Sequence, residues 1–135
     1  MTPALTPDTL DRALAFMSAF YAEEALDFRE PRARHALEQL LADPALGVFR
    51  FIEKDGEPVG YFVLTLGFSL EFAGCFALLD EFYVAPAHRG HGIGGEALIE
   101  IQRIAASLGV AALRLEVDRA NPRVHAFYQR AGFVA

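Results

Sequence analysis

The chain has 135 residues, 53% of them hydrophobic and 22% charged, which suffices for one compact domain with a core and leaves too little for a second. Residues 1–135 are therefore expected to form a single unit. Eighteen acidic side chains against twelve Lys and Arg give a formal net charge of -6, the wrong sign for a protein that binds nucleic acid by neutralising phosphates. The single cysteine, Cys75, allows no internal disulfide and no multi-thiolate metal site, which suits the reducing cytoplasm.

The first residues, with Thr2, Pro3, Thr6, Pro7 and Asp8, lack the basic start and apolar run of a secretion signal. Thr6-Pro7-Asp8 supplies an N-cap, a first-turn proline and an acid suited to the helix dipole, and Leu10, Leu14, Met17 and Tyr21 follow at helical spacing. Pro31 opens a second helix carrying Ala33, Leu37, Leu40 and Leu41, which Asp43-Pro44 stops. Val48 to Glu53 reads as a strand, Asp55-Gly56 as a tight turn, and Val59 to Phe68 as the antiparallel partner. A third strand is expected from Cys75 to Val84, with Cys75 a small buried hydrophobe. Between Val59 and Leu79 the only charge is Glu71, so the stretch approaches the ~20 apolar residues of a membrane helix. Gly60, Gly67 and Gly74, with Thr65 and Ser69, divide it into two strands instead, and no membrane span is expected.

Pro86 ends the third strand ahead of a glycine-rich bend. Ile93, Ala97, Leu98, Ile101, Ile104, Ala105 and Leu108 then mark one face of a long helix closed by Gly109. Ala112 to Val117 reads as a short strand, Asn121-Pro122 opens a last helix, and Gly132 ends it. The order predicts an α/β fold, a single-domain mixed and mostly antiparallel sheet flanked by helices, with a parallel pair near its centre.

The bend reads Arg89-Gly90-His91-Gly92-Ile93-Gly94-Gly95. The first N–H groups of the helix that follows have no partner within it and carry partial positive charge, so an anion fits there. Four glycines let a phosphate approach the backbone, and Arg89 can add a charge-assisted contact. A diphosphate-bearing ligand follows; the alternative is a turn that merely reverses the chain. Gly90, Gly92 and Gly95 match Gly-x-Gly-x-x-Gly, with Glu116 near the place of a ribose-binding acid. However, Ala85 to His88 separate strand from glycines, and the preceding strands read as antiparallel. No Gly-Lys-Ser or Gly-Lys-Thr follows, so a Walker-type site fits worse.

The spacing Arg-x-x-Gly-x-Gly across Arg89, Gly92 and Gly94 resembles the acetyl-coenzyme A signature of the GNAT N-acetyltransferase family. Leu79-Asp80-Glu81-Phe82-Tyr83-Val84-Ala85-Pro86 looks like that family's central strand, and Leu113-Arg114-Leu115-Glu116-Val117 resembles its following strand. Asn121, then Ala126 to Phe133, looks like the closing helix. The likeness covers about Leu79 to Phe133 in motif and the rest in order of elements. It implies an acyl-CoA N-acyltransferase-like fold, acetyl-CoA as cosubstrate, and acetyl transfer to a primary amine of a small molecule or peptide by direct attack in a ternary complex. Family members continue past the Gly-Phe pair into a final strand, whereas this chain stops at Ala135. That strand is expected to be short, missing or borrowed, and an open edge predicts a homodimer that covers it.

By the same resemblance, the backbone of Phe82, Tyr83 and Val84 would pair with the pantetheine arm as an added strand. Arg89, Gly90, His91, Gly92, Ile93, Gly94 and Gly95 would hold the diphosphate. Asn121 would contact the pantetheine or acyl carbonyl, a role compatible with ordinary helix capping. The acceptor must attack as a neutral amine, yet an alkylammonium has a pKa near ~10.4, so a carboxylate or water relay must take its proton. Asp80, Glu81 and Glu116 are the candidates. Regular alternation sends Asp80 and Glu81 to opposite faces, so one at most should reach the site; Glu81 is favoured and Glu116 follows. The leaving thiolate, with a pKa near ~8.5, needs a proton, and Tyr128 stands where the family's catalytic tyrosine would. Its other reading is one more aromatic beside Val124 and Phe127. A backbone N–H near Val84 would face the developing oxyanion.

His88, His91 and His125 read as polar loop and helix groups, and no metal is expected. Glu23, Glu24, Asp27 and Glu30, between the two helices that usually shape the acceptor site in the resembling family, would form an acidic rim favouring a cationic amine, or else simply a solvated loop. Two further functions compete: a non-catalytic acyl-CoA-binding sensor of the same fold, and a nucleotide-binding oxidoreductase module, which would require a wholly parallel sheet.

Overall fold

A computed structural model describes residues 2–117 and 121–134. Thr9 Oγ1 accepts the Thr6 N–H at 2.9 Å, and a 3-10 turn at Pro7–Thr9 leads into α1 (Leu10–Glu23). The second helix, α2, spans Glu30–Ala42 with Pro31 in its first turn. The strands β1 (Gly47–Lys54) and β2 (Glu57–Ser69) form the expected hairpin. Asp55 and Gly56 both take positive φ, 53 and 80 degrees, which is what a tight two-residue hairpin turn requires. Next come β3 (Gly74–Val84), a 3-10 turn at Pro86–His88, α3 (Ile93–Ser107), β4 (Ala112–Leu115) and α4 (Pro122–Arg130).

The sheet order is β1-β2-β3-β4, antiparallel through β3 and parallel between β3 and β4. A mixed sheet of this kind removes the wholly parallel oxidoreductase reading. The parallel pair stands at one side of the sheet, with β4 as its edge, because α3 is the only crossover among the described residues that returns the chain in the same direction.

Each face of the sheet carries its own apolar layer. On one, Phe62, Leu64, Ala77 and Leu79 pack against Ile93, Leu98, Ile101 and Ile104 of α3, with Phe127 and Tyr128 of α4 alongside. On the other, Phe49, Phe51, Tyr61, Val63 and Tyr83 pack under Leu14 and Met17 of α1 and Leu37 of α2. Two strands approach very closely at Gly60, where an added Cβ would lie 2.0 Å from the Tyr83 carbonyl oxygen, so only glycine fits.

Two irregularities in β3 shape everything that follows. The register with β2 pairs Leu79 with Leu64 and Glu81 with Val63, leaving Asp80 as the extra residue of a β-bulge. Ala77, Leu79, Phe82 and Val84 consequently share the α3 face, whereas unbroken alternation would have turned Glu81 into that apolar layer. The second irregularity is that the β3–β4 ladder runs only from Phe76/Ala112 to Leu79/Leu115. Past that point no strand among the described residues lies beside the outer edge of Asp80 to Val84. Cys75, expected to be buried, is exposed, because it lies at the end of β3 where neither helical layer reaches it.

Candidate functional site

The open edge of β3 faces the start of α3 across a cleft of about 660 Å³. Ala85 N–H donates to the Val59 carbonyl at 2.8 Å. Antiparallel alternation from that bond turns the amide groups of Tyr83 toward β2 and those of Phe82 and Val84 outward. Both outward residues line the cleft and offer main-chain groups to an extended ligand.

At the other wall, Gly90 and Gly92 take φ values of 82 and 81 degrees, a conformation an L side chain resists, and Gly92 caps α3. Glu96 N–H bonds back to the Gly92 carbonyl at 3.0 Å, so the free donors of the first turn are those of Ile93, Gly94 and Gly95. A Cβ at Gly90, Gly92 or Gly95 would meet nothing within 4 Å, so the surface there is open to a ligand. Ile93 itself points its side chain into the core, and His91 lies outside the cleft lining. The bend thus has the bare, donor-rich surface that a diphosphate requires.

Arg89 sits beside this surface and is already engaged. Its guanidinium donates to both carboxylate oxygens of Glu23, at 2.8 and 2.7 Å, and its Nε donates to the Val84 carbonyl at 2.7 Å. It also lies 5.6 Å from the centre of the Tyr83 ring. The far wall is α4. Asn121 caps that helix, accepting the Val124 N–H at 3.3 Å, and lines the cleft together with Phe127 and Tyr128. Tyr128 is wedged edge-on between Phe127 and Phe133, at ring distances of 5.1 and 5.7 Å. Burial pushes its pKa up to about 12, so the phenol keeps its proton throughout the neutral range.

A second cavity, of about 470 Å³, opens between α1, α2 and the sheet. Glu81 lies on its floor. Tyr21 of α1 donates to one Glu81 oxygen at 2.5 Å, and Tyr61 of β2 donates to the other at 2.7 Å. Burial raises the Glu81 pKa, and the two phenol hydrogen bonds oppose the rise by favouring the anion. Both phenols are pushed up in turn, chiefly by burial and by Glu81 itself. Asp80 also lines this cavity, contrary to the alternation argument: the bulge lets adjacent residues open to one side. Its pKa is raised by burial and by the charge of Glu116. Glu116 follows β4, is exposed, and lines neither cavity. Tyr21 and Tyr61 escaped sequence reasoning, although a tyrosine within a buried helical stripe signals that its hydroxyl needs a partner.

The expected acidic rim is dispersed. Glu23 and Glu24 line the first cleft, not the second cavity. Asp27 pairs with Arg29 at 2.9 Å, and Glu30 pairs with Arg34 at 2.7 Å. Among the described residues no group of three His, Cys, Asp or Glu side chains is placed to hold a metal, and no helix is long and apolar enough to cross a membrane.

Successive residues of one strand thus line the two cavities, Glu81 the second and Phe82 the first, with Cα atoms only ~3.8 Å apart. The acetyltransferase (GNAT) family model matches residues 15–133. The aminoalkylphosphonate N-acetyltransferase of Salmonella typhimurium is 30% identical over 130 residues, covering 96% of this chain and 81% of that protein. The thialysine N-epsilon-acetyltransferase of Bos taurus is 31% identical over 90 residues, covering 63% of this chain, which spans about half (52%) of the bovine protein. Among solved structures, an integron cassette protein from the mobile metagenome of Cole Harbour Salt Marsh superposes with a TM-score of 0.87 at 35% identity, covering 99% of this chain and 83% of that one. The chain belongs to the acetyltransferase (GNAT) family and is an N-acetyltransferase that uses acetyl-CoA as cosubstrate and an amine as acceptor.

Proposed function

We propose that the first cleft takes acetyl-CoA, that the second cavity takes the primary amine, and that the two meet at the bulge where β4 leaves β3. The parting of the strands beyond Leu79 and Leu115, directly across from the free N–H groups of α3, is the observation that carries this reading. Bound acetyl-CoA supplies an activated acyl group with a thiolate as leaving group. The protein's part is to hold, orient and move protons.

Ile93, Gly94 and Gly95 donate backbone N–H groups to the diphosphate, and Arg89 adds positive charge beside them. The outward N–H and C=O of Phe82 pair with the extended pantetheine arm, next to Val84, whose carbonyl already accepts from Arg89, and Tyr83 forms the wall between them and α1. Asn121 caps α4 and turns its remaining polar capacity to the same arm. Glu81 takes the proton of the incoming ammonium, directly or through the Tyr21 hydroxyl, which would accept from the amine while passing its own proton to Glu81. Asp80, and through it Glu116, keep negative charge close enough to raise the proton affinity of the pair. The neutral nitrogen then attacks, the Val84 N–H donates to the oxygen that gains charge, and Tyr128 returns a proton to the departing sulfur.

The acceptor is a small molecule or peptide amine. The relatives named for aminoalkylphosphonate and thialysine favour a small one. The lone cysteine suits the cytoplasm, and the outer edge of β4, free among the described residues, suits pairing with a second copy. Calorimetric titration with acetyl-CoA and with NAD, followed by thiol release across a panel of amines against an amine-free blank, tests the assignment. Binding of acetyl-CoA with amine-dependent thiol release is expected. Binding without release would mark a sensor domain, and a constant sedimentation coefficient for the monomer over a wide concentration range would remove the dimer.

A further inference from the structure

The charges around the acceptor cavity do not all cancel, and their arrangement constrains what the amine carries at its other end. Two carboxylates, Asp80 and Glu81, stand on the β3 side. On the α2 side the lining charges are Asp27, Arg29 and Arg32. Asp27 and Arg29 neutralise each other at 2.9 Å, and among the described residues Arg32 has no ion-pair partner. Glu30 and Arg34, the next charges along α2, pair together outside the cavity. What remains is acid at the sheet, an unspent guanidinium at the helix, and an apolar wall between them from Met17, Phe28, Leu37, Leu40 and Val63.

We infer that the acceptor is an aminoalkyl compound with an anionic terminus, its ammonium end held by Asp80 and Glu81 and its phosphonate or carboxylate end by Arg32. This deepens the acetyl-transfer reading above and rests on it. A polyamine fits worse, since its second ammonium would come to rest beside Arg32, where the one acid of the lining, Asp27, is already paired with Arg29. A plain alkylamine would leave the guanidinium unused. Arg32 is exposed on the first turns of α2, so it can meet a planar or tetrahedral oxyanion through several of its donors without being desolvated alone.

The test measures thiol release from acetyl-CoA with aminopropylphosphonate, γ-aminobutyrate, butylamine and diaminobutane, on the full chain and on the Arg32→Ala and Arg32→Lys variants. The intact protein should use at least one of the anionic amines with a kcat/KM roughly ten- to a hundredfold above butylamine, the range expected of a charge-assisted contact. The two anionic probes distinguish a phosphonate from a carboxylate site. In Arg32→Ala that ratio should fall to near one through a rise in KM, and Arg32→Lys should restore part of it. Turnover with no preference, preference for diaminobutane, or a ratio unmoved by Arg32→Ala would each overturn the inference while leaving acetyl transfer standing. No turnover with either anionic amine, beside thiol release with another amine of the wider panel, would overturn the inference alone.

Discussion

Removing the Tyr128 hydroxyl while keeping its ring separates chemistry from packing. The ring is held between Phe127 and Phe133, and phenylalanine fills the same space, so Tyr128→Phe should fold normally. Burial alone raises the phenol to about 12, against ~8.5 for a leaving thiol. Full proton transfer is thus uphill by about 3.5 pKa units, or ~5 kcal/mol. A turnover of ~10 per second corresponds to a barrier of roughly 16 kcal/mol, so the transfer fits within it, and a phenol this high remains protonated at every pH used for assay. Two outcomes follow. The wild-type protein should show no alkaline fall in kcat up to about pH 10 that belongs to this group. Tyr128→Phe should lower kcat about a hundredfold, within the range for general acids, with the Kd for coenzyme A changed by less than about twofold. Steady-state thiol release from pH 6 to 10 and calorimetry on both proteins measure these quantities. A kcat within about threefold of wild type, or a large loss of coenzyme A affinity with kcat intact, would refute the assignment and leave Tyr128 as an aromatic wall.

Tyr21→Phe removes one of two donors that stabilise the Glu81 anion. Losing it raises the carboxyl pKa further, so the acid limb of kcat/KM should move upward by roughly one to two pH units; a limb that stays put or moves down would exclude Glu81 as the base. Gly60→Ala would set a methyl group 2.0 Å from the Tyr83 oxygen. The strands must open to admit it, and chemical denaturation should show a loss of about 3 kcal/mol or more; near-wild-type stability would contradict the close approach. Glu23→Gln releases Arg89 from a half-exposed ion pair and removes a negative charge from the cleft. Coenzyme A should then bind up to about fivefold more tightly at low salt, and weaker binding would show that the pair positions Arg89 for the ligand.

The parts of the site legible in the sequence are local. Gly90 and Gly92 declare positive φ, Asn121-Pro122 declares a cap, and the apolar stripe from Ile93 to Leu108 declares which side of α3 is buried. The parts that escaped depend on what lies across from a residue. Alternation gave opposite faces for Asp80 and Glu81 because it presumes an unbroken register, and only the pairing with Val63 and Leu64 of β2 creates the bulge. The acids from Glu23 to Glu30 read as a rim because their partners are not all neighbours in sequence: Arg89 reaches Glu23 across 66 positions. Cys75 looked buried from its apolar surroundings, yet strand ends outrun the helices that cover the middle of a sheet. Tyr61 reads as one more core aromatic until the carboxylate that its hydroxyl meets is known.

The helix α1 walls both compartments, Phe20 and Glu23 facing one and Met17 and Tyr21 the other. A shift of this one helix would therefore reshape both. Tilting it to admit a bulkier acceptor would carry the Glu23 carboxylate off Arg89, whose Nε stays held by the Val84 carbonyl. Engineering a wider specificity through α1 would thus change the charge facing the donor as well, whereas carving α2 alone, which lines the second cavity and not the first, would retune the acceptor by itself.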